Sequence, residues 1–484
     1  MPDFFTMAAM SRYQTLALQT EKLISDGLLR AGDRLPSVRQ ACRIHDVSPV
    51  TVLQAYYLLE GQGLIEARPK SGYFVKARLG RQLSEPDITR PVGHSTALDV
   101  SDFIFEILES VKDPAVVPFG SSFASPDLYP LDKLGRFLAA AARHLDPRAT
   151  VTDLPPGNEE LRRQIALRYL SHGASVPTQE IVVTSGAMEG LNLCLQAVTR
   201  PGDLIAIESP TFYANLQAIE RLGLKVIEIP THPREGVSLA ALEDALRHHP
   251  IKACLFMLNY SNPITGGLSD ARKAELVALL ARYQVPLIED DVYAELYFGD
   301  QAPAYAKAED REGLVLHVSS FSKSLAPGYR VGWVAGGRFT QKIQRLKLTT
   351  SLATTVPVQI ALAEYLKHGG YDNHLRRLRR TFSLQELSMV GAVEQHFPAG
   401  TRLARPSGGY FLWVELPRGV DTLAVHRLAL DQGISIAPGP IFSAKREYGH
   451  CLRLNYGHPW TPATEKAVAV LGQIIDSLLP REGR

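Results

Sequence analysis

A lysine sits in the hydroxyl-rich turn Ser319-Ser320-Phe321-Ser322-Lys323-Ser324, and Arg330 follows seven residues later. An amine in such a turn can form a Schiff base with an aldehyde. The hydroxyls of Ser320 and Ser322, with the guanidinium of Arg330, can hold a phosphate dianion. One small molecule that is both aldehyde and phosphate monoester is pyridoxal phosphate. A lysine among serines is more often a solvated surface residue, so its neighbours decide the matter.

Asp290 follows the apolar run Val285–Glu289, at the edge where open α/β sheets place their ligands. A carboxylate there can pair with a protonated pyridine nitrogen and keep the ring an electron sink. The plain alternative is a cap on the next turn. Asn262-Pro263 closes the strand-like run Ala253–Tyr260. The amide of Asn262 can donate to the cofactor's ring oxygen, as can Tyr293, although Asn-Pro is also a routine turn signal. Gly186, Ala187 and Met188 open a helix after a strand, where bare backbone N–H groups face an anion. Phe212, in Glu208-Ser209-Pro210-Thr211-Phe212-Tyr213, could stack on a pyridine ring or simply belong to the core.

These residues need a scaffold. Apolar runs over Ile181–Thr184, Leu204–Glu208, Lys225–Ile229, Ala253–Leu258, Val285–Glu289, Leu314–Val318 and Val331–Ala335 read as buried strands. Amphipathic helices separate most of them, which predicts an α/β fold with a mostly parallel seven-stranded sheet covered on both faces. Between Val318 and Val331 there is little room for a crossover helix, so the last strand is expected to be antiparallel. From about residue 370 a charged helix, Asn373–Gln395, and a strand, Gly409–Glu415, predict a smaller C-terminal α+β domain.

In this order the residues resemble the fold type I aminotransferases, over roughly residues 116–484. The resemblance rests on Asn262-Pro263, Asp290 with Tyr293, Ser320-x-Ser322-Lys323 and Arg330. It implies that Lys323 carries pyridoxal phosphate, that Asp290 meets the pyridinium, and that Asn262 and Tyr293 contact the ring oxygen. Ala187, Met188, Ser320, Ser322 and Arg330 would hold the phosphate. Arg453, in Cys451-Leu452-Arg453-Leu454-Asn455-Tyr456, matches the arginine that clamps a substrate carboxylate, a task suited to a bidentate guanidinium. Two features depart from the pattern. Before Gly157-Asn158-Glu159-Glu160-Leu161-Arg162, Thr152 and Asp153 stand where a tyrosine is often supplied across the dimer interface. The usual N-P-x-G stretch reads Asn262-Pro263-Ile264-Thr265-Gly266.

A second unit occupies residues 11–78. Tyr13, Leu16, Ala17, Leu23, Ile24 and Leu28 recur at helical spacing. Ser37 and Ser48 are N-cap candidates for two further helices, with Pro49 at the first position of the third. Short strands flank the turn Arg68-Pro69-Lys70-Ser71-Gly72. Leu35-Pro36-Ser37-Val38-Arg39, Val47-Ser48, Thr51-Val52, Ala55-Tyr56 and Ser71-Gly72-Tyr73-Phe74-Val75 resemble the winged helix-turn-helix of GntR regulators. That resemblance implies DNA contacts at Arg39, Ser48 and Thr51, and a wing formed by Gly72 with Arg68 and Lys70. Pro49 replaces an arginine frequent at its position.

Composition adds bounds. The chain has 484 residues, 45% apolar and 21% charged, with a net charge of +2. Ten Lys/Arg against seven Asp/Glu in residues 1–78 give only a modest positive surplus. Four dispersed cysteines read as reduced thiols in a cytoplasmic protein. No signal peptide, membrane span or metal site is expected. Residues 79–115, with Pro86, Pro91, Gly93 and Pro114, read as a linker holding a short helix near Ser101–Glu109. A winged helix joined to an aminotransferase-like body resembles the MocR subfamily of GntR regulators. The resemblance implies a homodimer that binds a double-stranded DNA operator and senses pyridoxal phosphate, an amino-acid-like effector, or both. The alternative is an aminotransferase working on amino acids and 2-oxo acids, with an accessory DNA-binding domain.

Overall fold

The computed structural model describes residues 12–25, 28–29, 32–61, 64–68, 72–75, 83–91, 95–98, 100–109 and 116–479. In the N-terminal unit, α1 (Arg12–Ser25), α2 (Val38–His45) and α3 (Pro49–Gly61) precede the antiparallel hairpin β1 (Ile65–Arg68) and β2 (Gly72–Val75). Ser37 caps α2 in a capping box, exchanging hydrogen bonds with Gln40. Ser48 Oγ accepts from Thr51 N at 3.2 Å and opens α3, with Pro49 at its first position. Leu16, Leu35, Ala41, Val52, Ala55, Tyr56, Leu59, Ile65 and Val75 form one small core that fixes helices and hairpin together.

The body begins with β3 (Thr96–Ala97) and α4 (Ser101–Glu109), followed by β4 (Val117–Pro118). The strands of the large lobe are β5 (Ile181–Thr184), β6 (Leu204–Ser209), β7 (Lys225–His232), β8 (Gly236–Val237), β9 (Ile251–Phe256), β10 (Leu287–Asp290), β11 (Val315–Ser320) and β12 (Gly332–Ala335). Among the described residues they form a nine-stranded sheet ordered β3-β7-β6-β9-β10-β11-β12-β5, with β8 on β7. All seven expected strands are present. β12 runs antiparallel to β11, as the short connection requires. The further two, β3 and β8, are two-residue strands too short to leave a periodic signal.

A C-terminal lobe carries β13 (Arg402–Leu403), β14 (Phe411–Glu415), β15 (Ile434–Ser435), β16 (Ala437–Pro438) and β17 (Cys451–Asn455). β13, β14, β17 and β16 form one sheet, and β15 pairs with β4. The helix expected over Asn373–Gln395 spans Tyr371–His396 and covers this lobe's core.

The stretch 79–115 is fastened to the body wherever it is described. β3 extends the edge of the large sheet beside β7. Ile104 of α4 is fully buried in the large-lobe core. Proline and charge content signal irregular backbone, but not what that backbone is tied to. No helix among the described residues is long and apolar enough to cross a membrane.

Candidate cofactor and effector site

The sheet positions the pocket by parallel register. Asp290, the last residue of β10, lies opposite Val318 of β11, and β11 runs directly into the Phe321–Lys323 turn. The carboxylate and the amine therefore leave the same sheet edge. Lys323 is 8% exposed and its Nζ donates to Ser122 O at 2.8 Å, with the Phe123 ring centroid 4.2 Å away. Burial, and then the charge of Arg453, pull the amine down to about 7, against the opposing pull of Asp290. Burial, and then the charge of Asp291, push Asp290 up to about 7.

An anion cup lies at the other end. Gly186 has φ +83° and precedes the helix Ala187–Val198. The positive φ, together with the close approach of the Arg330 guanidinium, favours glycine at this position. Arg330 Nη1 donates to Ser322 Oγ and Nη2 to Ser185 O, both at 3.3 Å. Ser320 Oγ accepts from Ser322 N at 3.3 Å. Glu189 accepts from Ser185 N and pairs with Lys347 at 2.8 Å, which anchors the turn from below.

Arg453 comes from the C-terminal lobe and is fully buried. Its Nη1 donates to Asn262 Oδ1 at 2.9 Å, and Asn262 Nδ2 donates to Tyr293 OH at 3.4 Å. Its Nη2 reaches Gly120 O at 2.8 Å and Ser121 O at 3.0 Å. The loop after Asn262 is a tight turn with Thr265 in the left-handed region, which accommodates the extra residue in this stretch. Phe212 ends the approach to the helix Tyr213–Arg221 and touches the cores of both lobes.

Pyridoxal phosphate fits these residues. Asp290 Oδ1 and Arg453 Nε are buried without a hydrogen-bond partner, one on each lobe. A buried polar atom without a partner is costly, and a ligand's complementary atoms would satisfy both. Gly186 leaves the cradle open, and Lys323 has the lowered amine an aldehyde needs.

Several neighbours carried no sequence signal. Asn215, 1% exposed on the helix after Phe212, hydrogen-bonds Asp290. Tyr410 OH donates to Ser122 O at 3.1 Å, and Ser122 Oγ meets Tyr213 OH at 2.7 Å. Behind Asp290 lies a buried polar cluster. Glu289 accepts from Ala306 N at 2.7 Å, Asn259 donates to Asp291 at 3.0 Å, and Tyr169 OH meets His317 Nδ1 at 2.8 Å. This cluster holds Asp291 in place, where its charge acts on Asp290.

In the N-terminal unit, Arg39, Ser48, Arg68 and Gly72 are exposed and Thr51 is partly so. Ser48 Oγ and Thr51 Oγ1 are 2.9 Å apart at the start of α3. Arg68 pairs with Glu66 at 2.7 Å and lies 4.4 Å from the Phe74 ring centroid. Gly72 has φ +101°, the left-handed backbone a tight hairpin requires. Lys70 lies outside the described residues.

Comparison with known proteins covers both parts. The family of bacterial regulatory proteins, gntR family, matches residues 12–75, and aminotransferase class I and II matches residues 128–470. An uncharacterized HTH-type transcriptional regulator of Escherichia coli, YdcR, is 46% identical over 470 residues, covering 97% of this chain and all of its own. Kynurenine aminotransferase from Pyrococcus horikoshii, solved with PMP, is 27% identical with a TM-score of 0.73, over 78% of this chain and 95% of its own. LysN from Thermus thermophilus, an alpha-aminoadipate aminotransferase complexed with N-(5'-phosphopyridoxyl)-L-leucine, is 26% identical with a TM-score of 0.70. It covers 79% of this chain and 99% of that one.

Proposed function

The chain belongs to the MocR subfamily of GntR regulators, pyridoxal-phosphate-dependent DNA-binding transcription factors, and from that membership we propose that its body senses an amino-acid-like effector. Residues 11–78 read a double-stranded operator, 79–115 connect, and 116–484 bind cofactor and effector. The observation that carries the reading is the meeting of Lys323 and Arg453 in one buried pocket. They come from different lobes and both hydrogen-bond Ser122, Lys323 at its carbonyl and Arg453 at its hydroxyl.

Bound pyridoxal phosphate supplies an aldehyde that accepts an amine and a ring that withdraws electrons. The chain's own groups do the rest. The backbone of Gly186, Ala187 and Met188 binds the phosphate together with Ser320, Ser322 and Arg330. Asp290 places a negative charge at the ring nitrogen, and Asn215 orients it. Phe212 packs on the ring, and Asn262 and Tyr293 hold its oxygen. Arg453 orients the effector's carboxylate. Near neutral pH the Nζ of Lys323 can either hold or release a proton.

A homodimer in the cytoplasm suits the reading. Val151, Leu154 and Leu352 are exposed apolar side chains. Asn158 N–H donates to Gln359 at 2.9 Å, which brings their two stretches together. A second copy would cover such a surface and present two reading modules to a repeated or palindromic site.

Operator affinity on DNA from the protein's own promoter, with and without pyridoxal phosphate and amino acids, tests the sensing. A shift is expected, and equal affinity in every condition would overturn it. Transamination is a second reading, favoured by the lowered amine of Lys323 and the full set of pocket groups. Incubation with an amino acid and a 2-oxo acid is expected to give slow turnover. Thr152 and Asp153 stand where a cross-subunit tyrosine would be supplied.

A further inference from the structure

The segment 83–90 lies between the reading module and the rest of the body, and it is bound to both lobes. Its first half belongs to the C-terminal lobe. Leu83 packs on that lobe's core, and Leu403 N donates to Ser84 O at 3.0 Å. Arg402 of β13 donates from Nε to Glu85 O at 2.9 Å and pairs with Asp87 at 3.1 Å.

Its second half belongs to the large lobe. Thr89 N donates to Thr231 O at 3.1 Å, and Thr231 N donates back to Thr89 Oγ1 at 2.8 Å. Thr89 Oγ1 donates to Ser209 O at 2.7 Å, three residues before Phe212. Glu85 is also paired with Arg234, in the turn between β7 and β8 of the large lobe.

We propose that residues 83–90 form a strap that converts occupancy of the pocket into a change at the reading module. The proposal rests on the sensing reading above. A ligand held between the Lys323 side and Arg453 touches one lobe with each end. Its binding free energy therefore bears on the spacing of the lobes. The strap's anchors, Arg402 and the Thr89 cluster, also sit one on each lobe. Between Glu85 and Thr89 the chain spans at most about 3.5 Å per residue. So short a connection has little slack to absorb a relative movement. The movement either breaks an anchor or displaces Leu83 and Ser84 against the C-terminal lobe, on whose helix Tyr371–His396 the module's α3 also packs. A loose tether would transmit nothing.

The test uses the full-length protein loaded with pyridoxal phosphate. Aminooxyacetate serves as the probe because it carries an amino nucleophile and a carboxylate in one small molecule. Operator affinity is measured with and without it in the wild type, Arg402→Ala, Asp87→Ala and Thr89→Val. Probe affinity is followed separately by the visible absorption of the cofactor. In the wild type the two operator affinities should differ. In the variants their ratio should fall to within about twofold of one, with probe affinity unchanged, because coupling rather than binding is lost. Asp87 is largely exposed, so its removal spares the fold even where Arg402→Ala does not. Variants that keep the wild-type ratio would remove the strap alone. A wild type whose operator affinity ignores the probe would remove the sensing reading, and the strap with it.

Discussion

The two ends of the chain hold their chemistry in opposite ways. In the reading module, Arg39, Ser48 and Arg68 stand exposed on a core of ten buried residues. In the body, Lys323, Asp290 and Arg453 are 8%, 5% and 0% exposed, and the charges of both Asp290 and Arg453 act on the protonation of Lys323. Exposed groups contribute singly, modestly and in a salt-dependent way. Buried groups act as a set, because removing one leaves another charge without its partner. The same substitution therefore has graded effects at one end and near-total effects at the other.

Lys323→Ala should break the comparison most sharply. It should abolish covalent retention of pyridoxal phosphate, read as loss of visible absorption and of borohydride labelling at that position. Operator binding by the cofactor-free protein should not change. A variant that still retained the colour would place the attachment elsewhere. Arg453→Ala comes next. Loss of one partner from a buried hydrogen-bonded charge contact costs on the order of 2–5 kcal/mol. Affinity for amino acids, followed by absorption of the bound cofactor, should fall about a hundredfold or more, while uptake of pyridoxal phosphate itself persists. Equal weakening of both would make Arg453 a structural group.

A pH profile sharpens the same contrast. Only the neutral amine attacks an aldehyde, and burial with Arg453 lowers Lys323 to about 7. The lowered value means the reactive form is scarce at pH 6 and dominant at pH 8. Initial uptake of pyridoxal phosphate by the cofactor-free protein should rise about tenfold over that interval and then flatten. An ordinary lysine would go on gaining about tenfold per pH unit well above pH 8. Stopped-flow absorption distinguishes a plateau from a continued rise.

The same contrast explains what could be read in advance. Buried parallel strands are continuous apolar runs, and a pocket at their ends inherits residues from known offsets. Ile181–Thr184 was therefore legible to the residue, whereas β10 runs one residue past its expected end to Asp290 and β11 two residues past to Ser320. Asn215, Ser122 and Tyr410 were not, because each meets its partner across a long sequence separation and looks like ordinary core or loop. Arg453 shows the limit of periodicity. Cys451–Asn455 alternates like a half-exposed strand, yet all five residues are buried. The anchors of 83–90 left no pattern either, since hydrogen bonds to Arg402 and Ser209 are set by tertiary placement alone. In the reading module Ser37, Ser48 and Pro49 marked the starts of α2 and α3, because short helices depend on local signals, whereas the helical spacing that ran on to Leu28 overshot α1, which ends at Ser25.

Smaller effects are expected at that end. If Arg39 grips a phosphate, Arg39→Ala should weaken operator binding alike across sequences and reduce the salt-dependence slope by about one. Titrations at several salt concentrations read that slope directly. An unchanged slope would take Arg39 off the phosphate backbone.

Ser37→Ala should give the smallest effect and the most informative null. Ser37 Oγ accepts from Gln40 N at 3.3 Å, and Gln40 Oε1 accepts from Ser37 N at 3.1 Å. Removing the hydroxyl strips one partner from the exposed start of α2, a loss of about 1 kcal/mol. The first helical turn of α2 carries Arg39, so fraying there loosens a group proposed to meet DNA without touching the pocket. Unfolding of the module, followed by hydrogen exchange of residues 38–45, should shift by that amount. Operator affinity should drop about fivefold at most, and the cofactor's absorption should stay as in the wild type. If Ser37→Ala altered the absorption as strongly as Arg453→Ala, the two ends would be one cooperative unit. The strap would then no longer be needed to connect them.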